Sequence, residues 1–170
     1  GRGDDRRAGS RRAHSRAASP RALFVRDLPR KLTTDELAEL FEGRTRLAEL
    51  LAEIDVPLGR AESVLVALSH KDKVEALSAH PAIGQRAGLS ARSAVEQGDD
   101  TDAEVLDELA RLNAAYEERF GFRFVVFVNR RPRSEILDVL RKRVERTREE
   151  ELDTGCRELV AIARDRWTRT

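Results

Sequence analysis

The sequence is poor in the residues that usually announce a chemistry. Its 170 residues include no methionine, one cysteine, one tryptophan, one tyrosine and three histidines. Cys156, being alone, can form neither an internal disulfide nor a Cys-rich zinc site, so a disulfide scaffold and a zinc finger are excluded and a reducing compartment is the default. No run approaches the roughly 18 consecutive apolar residues of a membrane span, and residues 1–20 lack the apolar middle of a secretory signal. The expectation is a soluble, cytoplasmic protein with no membrane partner. There is no P-loop, no GxGxxG, no HExxH and no nucleophile elbow, which removes the common nucleotide-binding, zinc-protease and α/β-hydrolase chemistries. A chain that begins at Gly1 without any methionine is expected to lack its original start.

What the chain does have is charge. Charged residues make up 37 %, with 32 Lys and Arg against 31 Asp and Glu, so the net charge is +1. That balance hides two unlike parts. Residues 1–21 carry seven Arg against Asp4 and Asp5, a surplus of +5, which leaves the body at −4. The first 21 residues have almost no large apolar side chain to offset the entropy of ordering them, so they read as a disordered arm that includes His14. Such an arm is either a contact for nucleic acid or another acidic surface, or a solvated leader or linker remnant. Residues 22–170 form the domain. Of the 40 % apolar residues 22 are Ala, so a compact helical core is available and a large one is not.

From Leu23 onward the apolar spacing is mainly helical. Thr33 and Glu36 have the form of a capping box and open a helix over 34–42, with Gly43 after it. Leu47, Leu50, Leu51 and Ile54 make a buried stripe over 45–54, and Pro57 with Gly59 marks a turn. Residues 60–79 read as helix with a break near Ser69–His70, stopped by His80-Pro81. Segment 81–100 is irregular, long enough to suggest a working loop, with one short helix around 90–97. Thr101 and Glu104 suggest a second capping box, before a helix with Val105, Leu109, Leu112, Tyr116 and Phe120 inward, closed by Gly121. FRFVVFV at 122–128 is the one strongly β-like run, and with nothing obvious to pair with it is expected as a buried extended segment. Helices to about 147 and over about 149–167 complete an all-α single domain of six to eight helices.

Three places can carry chemistry. His70 sits in the polar SHKDK, which leaves His80, at a helix end where the dipole favours an imidazolium and at the mouth of the irregular segment. It is either a proton donor near neutral pH or a helix-terminating group bonded to the last carbonyls. Ser93, Glu96 and Gln97 make a polar set able to hold a small molecule, or a third capping box with little helix to cap. Arg166 shares a helix side with Leu159 and Ile162, as an anion clamp or as a snorkelling side chain.

ALSAHPAIG (77–84), SAVEQ (93–97), LNAAYEERFGFRFVVFVNRRPRSEIL (112–137) and ELVAIARDRW (158–167), taken in this order, resemble the OHCU decarboxylase family, whose substrate is 2-oxo-4-hydroxy-4-carboxy-5-ureidoimidazoline. The resemblance runs from about residue 33 to 167. It implies an all-α, cofactor-independent enzyme with no metal, acting last in the conversion of urate to (S)-allantoin. By position it implies His80 and Glu96 as catalytic, and Pro81, Ser93, Gln97, Arg166 and the backbone of Phe124, Val125 and Val126 as substrate-binding. It also implies a homodimer as a partner state, since the family often forms one. Two departures stand out: Ala82 follows His-Pro where the family usually has Asp, and 41–57 lacks the family's Ser-Pro-Trp segment. They leave open a homologue that takes a different small ureido or imidazole compound. A helical interaction module with a nucleic-acid-binding arm is the third class; the acidic body and the clustering of the aromatics in a buried-looking run speak against nucleic acid.

Overall fold

The structure, a computed structural model, describes residues 31–84 and 102–169. The arm (1–21), the short helix expected at 90–97, Ser93, Glu96, Gln97 and Thr101 lie outside the described residues. Within them the chain forms seven helices and no strand: α1 (Thr34–Phe41), α2 (Arg46–Ala52), α3 (Pro57–Ala67), α4 (His70–Ser78), α5 (Ala103–Phe120), α6 (Arg133–Arg143) and α7 (Arg148–Thr168).

Side-chain caps set most of the starts. Thr33 accepts from the Glu36 N–H while the Glu36 carboxylate takes the Thr33 N–H at 2.8 Å, the reciprocal box expected from the sequence. Thr45 and Ser69 cap α2 and α4 in the same way with their hydroxyls. Pro57, expected in a turn, is instead the first residue of α3, where its missing N–H costs nothing. The expected break in 60–79 falls at Leu68, extended at ψ 147°, so Ser69 begins a separate helix. Asp102, and not Thr101, caps α5, accepting from the Glu104 and Val105 N–H groups. A second complete box, Thr147 with Glu150, starts α7 and ends the run expected to continue α6 to 147.

The packing centres on α7, which touches α1, α3 and α4, while α5 pairs with α6. Leu152, Leu159, Val160 and Ala163 of α7 are buried against Leu37, Leu58 and Leu77 in one continuous core. α4 comes close to α7 at Gly155, where an added Cβ would meet the Leu77 methyls at 3.1–3.2 Å.

Residues 122–128 run extended through the interior without joining a sheet, as expected, with Phe122, Phe124, Val125, Val126 and Val128 buried. An extended buried backbone needs partners for its carbonyls. Arginines supply three of them: Arg143 Nη1 donates to Val125 O at 2.8 Å, and Arg131 donates to Phe127 O at 2.6 Å and Val128 O at 3.1 Å. Arg143 is held in turn by the wholly buried Glu151, which accepts from Arg143 Nε at 2.8 Å, Tyr116 Oη at 2.6 Å and Arg146 Nη1 at 3.1 Å. Burial and the Glu151 hydrogen bond together push the Tyr116 phenol far above its usual range, so it stays a donor.

Removing one partner of a buried charge network strands the others. Glu151→Ala should therefore cost about 3–5 kcal/mol, which for a chain of this size lowers Tm by roughly 10 °C or more. Tyr116→Phe, which deletes one donor and leaves both arginines on Glu151, should cost about 1–2 kcal/mol. Thermal unfolding followed by circular dichroism reads both, and equal Tm values for Glu151→Ala and wild type would refute the network's role.

Candidate functional site

α4 stops at Ser78 because Pro81 disfavours helical geometry at the residue before it. His80 closes the turn with its N–H on Leu77 O at 3.2 Å. Its own carbonyl accepts from Arg123 Nη1 at 2.8 Å, and Arg123 is steadied by Glu117 at 3.0 Å. The segment after it is fixed by Asn113 of α5, whose Nδ2 donates to Ile83 O at 3.0 Å. Gly84 then turns at φ +81°, a value that suits glycine.

Of these residues His80, Pro81 and Ile83 line a cleft that opens to solvent. The extended segment from Phe124 onward also lines it, with Ile162 and Asp165 of α7 and Arg169 at the C-cap of α7. The structure thus brings His80, Pro81, Phe124, Val125 and Val126 together, as the sequence pattern implied. Part of the wall's backbone is saturated, since Val125 O, Phe127 O and Val128 O bind arginines and the Phe127 N–H binds Glu158 Oε2 at 2.5 Å. The N–H and carbonyl of Val126 find no partner among the described residues. Asp165 and Arg169 form an ion pair at 2.8 Å.

His80 is only 7 % exposed, and its Nδ1 has no hydrogen-bond partner among the described residues. Burial, with Arg166 and Arg123 adding to it and Glu42 opposing, pushes its pKa down to about 4. The resting group is a neutral imidazole, which corrects the expectation that the helix end would favour the imidazolium. The dipole at the end of a nine-residue helix is outweighed by desolvation and two guanidinium groups.

Arg166 lies on the inner face of α7, as its spacing indicated, but beneath the cleft and not in its wall. Nη1 donates to Leu40 O at 2.9 Å and Nη2 pairs with Glu42 at 3.1 Å. Glu42 sits at φ 62° at the end of α1, and the next residue, Gly43, approaches α4 so closely that a Cβ there would meet Ala79 Cβ at 2.9 Å. The Glu42–Arg166 pair is thereby set against the residue that precedes His80. Sequence reasoning did not find Glu42, Asn113 or Arg123 as supports of the site; each acts on a partner 30 or more residues away, beyond any local pattern. Among the described residues no group of three or more His, Cys, Asp or Glu is placed to hold a metal ion, and no helix is long and apolar enough to cross a membrane.

The chain is 35 % identical over 100 residues to the uric acid degradation bifunctional protein TTL of Arabidopsis thaliana, covering 54 % of this chain and 31 % of that protein. It is 27 % identical over 139 residues to the 2-oxo-4-hydroxy-4-carboxy-5-ureidoimidazoline decarboxylase of Haloferax volcanii, covering 76 % and 83 %. The chain therefore spans about a third of the bifunctional plant protein and most of the archaeal one. A crystal structure of an OHCU decarboxylase in the presence of (S)-allantoin superposes with a TM-score of 0.67 at 25 % identity, over 79 % of this chain and 96 % of that one. A crystal structure of an (S)-allantoin synthase, at 23 % identity and a TM-score of 0.60, shares the fold. The sequence pattern of the OHCU decarboxylase family matches residues 26–168, and the chain belongs to that family.

Proposed function

We propose that the protein decarboxylates 2-oxo-4-hydroxy-4-carboxy-5-ureidoimidazoline to (S)-allantoin without a cofactor. The observation that carries this reading is the buried, neutral His80 facing an extended backbone wall across one cleft, in a chain of this family. The substrate places its carboxylate on a carbon that also bears a hydroxyl, beside an unsaturated ring. As the C–C bond to the carboxylate breaks, its electron pair passes into the ring's own imine and carbonyl system and CO2 leaves. No outside electron sink is needed.

The protein's task is to hold one orientation and to manage protons. The free Val126 N–H and carbonyl suit the alternating donors and acceptors of a ureido group. Neutral His80 holds the hydroxyl proton as the carboxylate departs and returns a proton to one face of the ring, which fixes the handedness of the product. Arg166, beneath the cleft, contributes positive potential toward the negative charge that moves into the ring. Pro81 and Phe124 shape the walls. The resemblance adds Glu96 as the second catalytic group, with Ser93 and Gln97 as substrate contacts; all three lie outside the described residues. The same reading carries a cytoplasmic enzyme working as a homodimer, and light scattering measures the latter.

With substrate freshly generated from urate, wild type should accelerate formation of optically active allantoin over the spontaneous reaction. His80→Ala and Glu96→Ala should each lower kcat by about 10²–10³. Wild type at the spontaneous rate would end the activity reading, and full activity in both variants would end the site assignment.

The depressed pKa of His80 also sets a pH dependence. The native state binds fewer protons here than the unfolded chain, whose histidines titrate near about 6.5. Stability from this group is therefore complete above that value and is lost as pH falls toward about 4. NMR of the His80 ring should show a midpoint near 4, and His80→Gln should flatten the loss of Tm between those pH values. A midpoint near 6.5 would contradict the buried neutral imidazole.

A further inference from the structure

The cleft carries one cation with no counter-charge among the described residues. Arg130 lines it, is exposed, and makes no hydrogen bond or ion pair with any described group. Its neighbours differ. Arg131 is spent on the carbonyls of Phe127 and Val128, Arg169 is paired with Asp165, and Arg166 lies beneath the cleft on Leu40 O and Glu42.

The backbone makes Arg130 more conspicuous. Val128 to Arg131 form a tight turn closed by Arg131 N–H on Val128 O at 3.0 Å, with Asn129 at φ 46° and Arg130 at φ 61°. Positive φ at both central positions is the I′ geometry, which favours Asn first and Gly second. Asn129 fits that preference. Arg130 occupies a glycine position, where its Cβ crowds the following carbonyl, a conformation that tends to persist where the side chain has a task. Arg131, clamped to Val128 O of the turn and to Phe127 O just before it, holds the backbone in that shape.

The geometry points to Arg130 as the residue that captures the substrate's carboxylate at the cleft mouth and so selects an anionic ureido ring over a neutral one. This role rests on the decarboxylation proposed above. Guanidinium geometry suits a carboxylate. It also predicts which kinetic constant responds. Held at the cleft mouth, the carboxylate end keeps its ion pair until CO2 has separated, so a group there contributes binding that the ground and transition states share. Arg130 therefore acts on KM and scarcely on kcat.

The test uses the full chain with Arg130→Gly and Arg130→Lys. Arg130→Gly should raise KM about tenfold and leave kcat within about twofold. Its Tm should not fall, because glycine relieves the turn. Arg130→Lys should recover part of the KM, and raising salt from about 50 mM to about 500 mM should weaken substrate binding by wild type more than by Arg130→Gly. An unchanged KM in Arg130→Gly overturns the role while leaving the activity intact, and so does a raised KM that comes with a lowered Tm and no recovery by Lys. Calorimetry with allantoate, a stable ureido carboxylate, and with allantoin, which lacks the carboxylate, separates the two claims. Arg130→Gly should weaken allantoate alone. If wild type does not decarboxylate yet binds allantoate more tightly than Arg130→Gly, the activity falls and the anion site stands. Equal allantoate binding overturns the site.

Discussion

The buried carboxylate of Glu151 is the charge around which the fold is arranged. It has no contact with water, so its ionised form depends on Arg143, Arg146 and the Tyr116 hydroxyl converging on it from α6, the turn after α6, and α5. Arg143 then reaches past Glu151 to Val125 O and lies over the Phe124 ring at 4.6 Å. One ionic cluster thereby fixes α5, α6 and α7 against the extended segment that forms a wall of the cleft. Tyr116 also meets Phe120, Phe122 and Phe124 edge-on, so the aromatic residues of this region pack around the same point.

The same device recurs along the chain and gives the high arginine content a structural use. At helix ends and in turns a guanidinium takes a backbone carbonyl: Arg166 on Leu40 in the last turn of α1, Arg164 on Leu58 in the first turn of α3, Arg123 on His80 after α4, and Arg148 on Phe120 at the end of α5. A planar fork with five donors can satisfy a carbonyl and a carboxylate together, as Arg164 does with Leu58 O and Glu62. A β-like run can in this way sit alone in a helical protein with several of its buried carbonyls paired. Val126, whose N–H and carbonyl have no partner among the described residues, lies where the run lines the cleft.

Much of the helical frame was legible because it depends on local chemistry. The Thr33–Glu36 box, the stop at His80-Pro81 and the inward face from Leu109 to Phe120 are all contained within a few turns of chain. The buried, unpaired character of 122–128 was legible from composition and isolation. The Thr147–Glu150 box was missed because the apolar pattern runs on past Arg143 and masks the turn. His80 was singled out at a helix end, at the mouth of the irregular segment, with the imidazolium favoured; the burial and the guanidinium groups that keep it neutral are not visible in sequence. Arg166 was put on the correct helix face; its partner Glu42 comes from the far end of the described chain. Arg130 is distinguished by its φ angle and its place in the cleft, neither of which a local sequence pattern shows.

The central claim is that Arg143 builds the working wall of the cleft, beyond helping the protein to fold. Arg143→Lys tests it most directly, because the lysine keeps a positive charge for Glu151 but cannot span both Glu151 and Val125 O with a planar fork. The account predicts a variant with native circular dichroism whose kcat/KM falls by roughly tenfold or more, the effect of a reacting group held out of place. A folded Arg143→Lys protein with wild-type kcat/KM would contradict it.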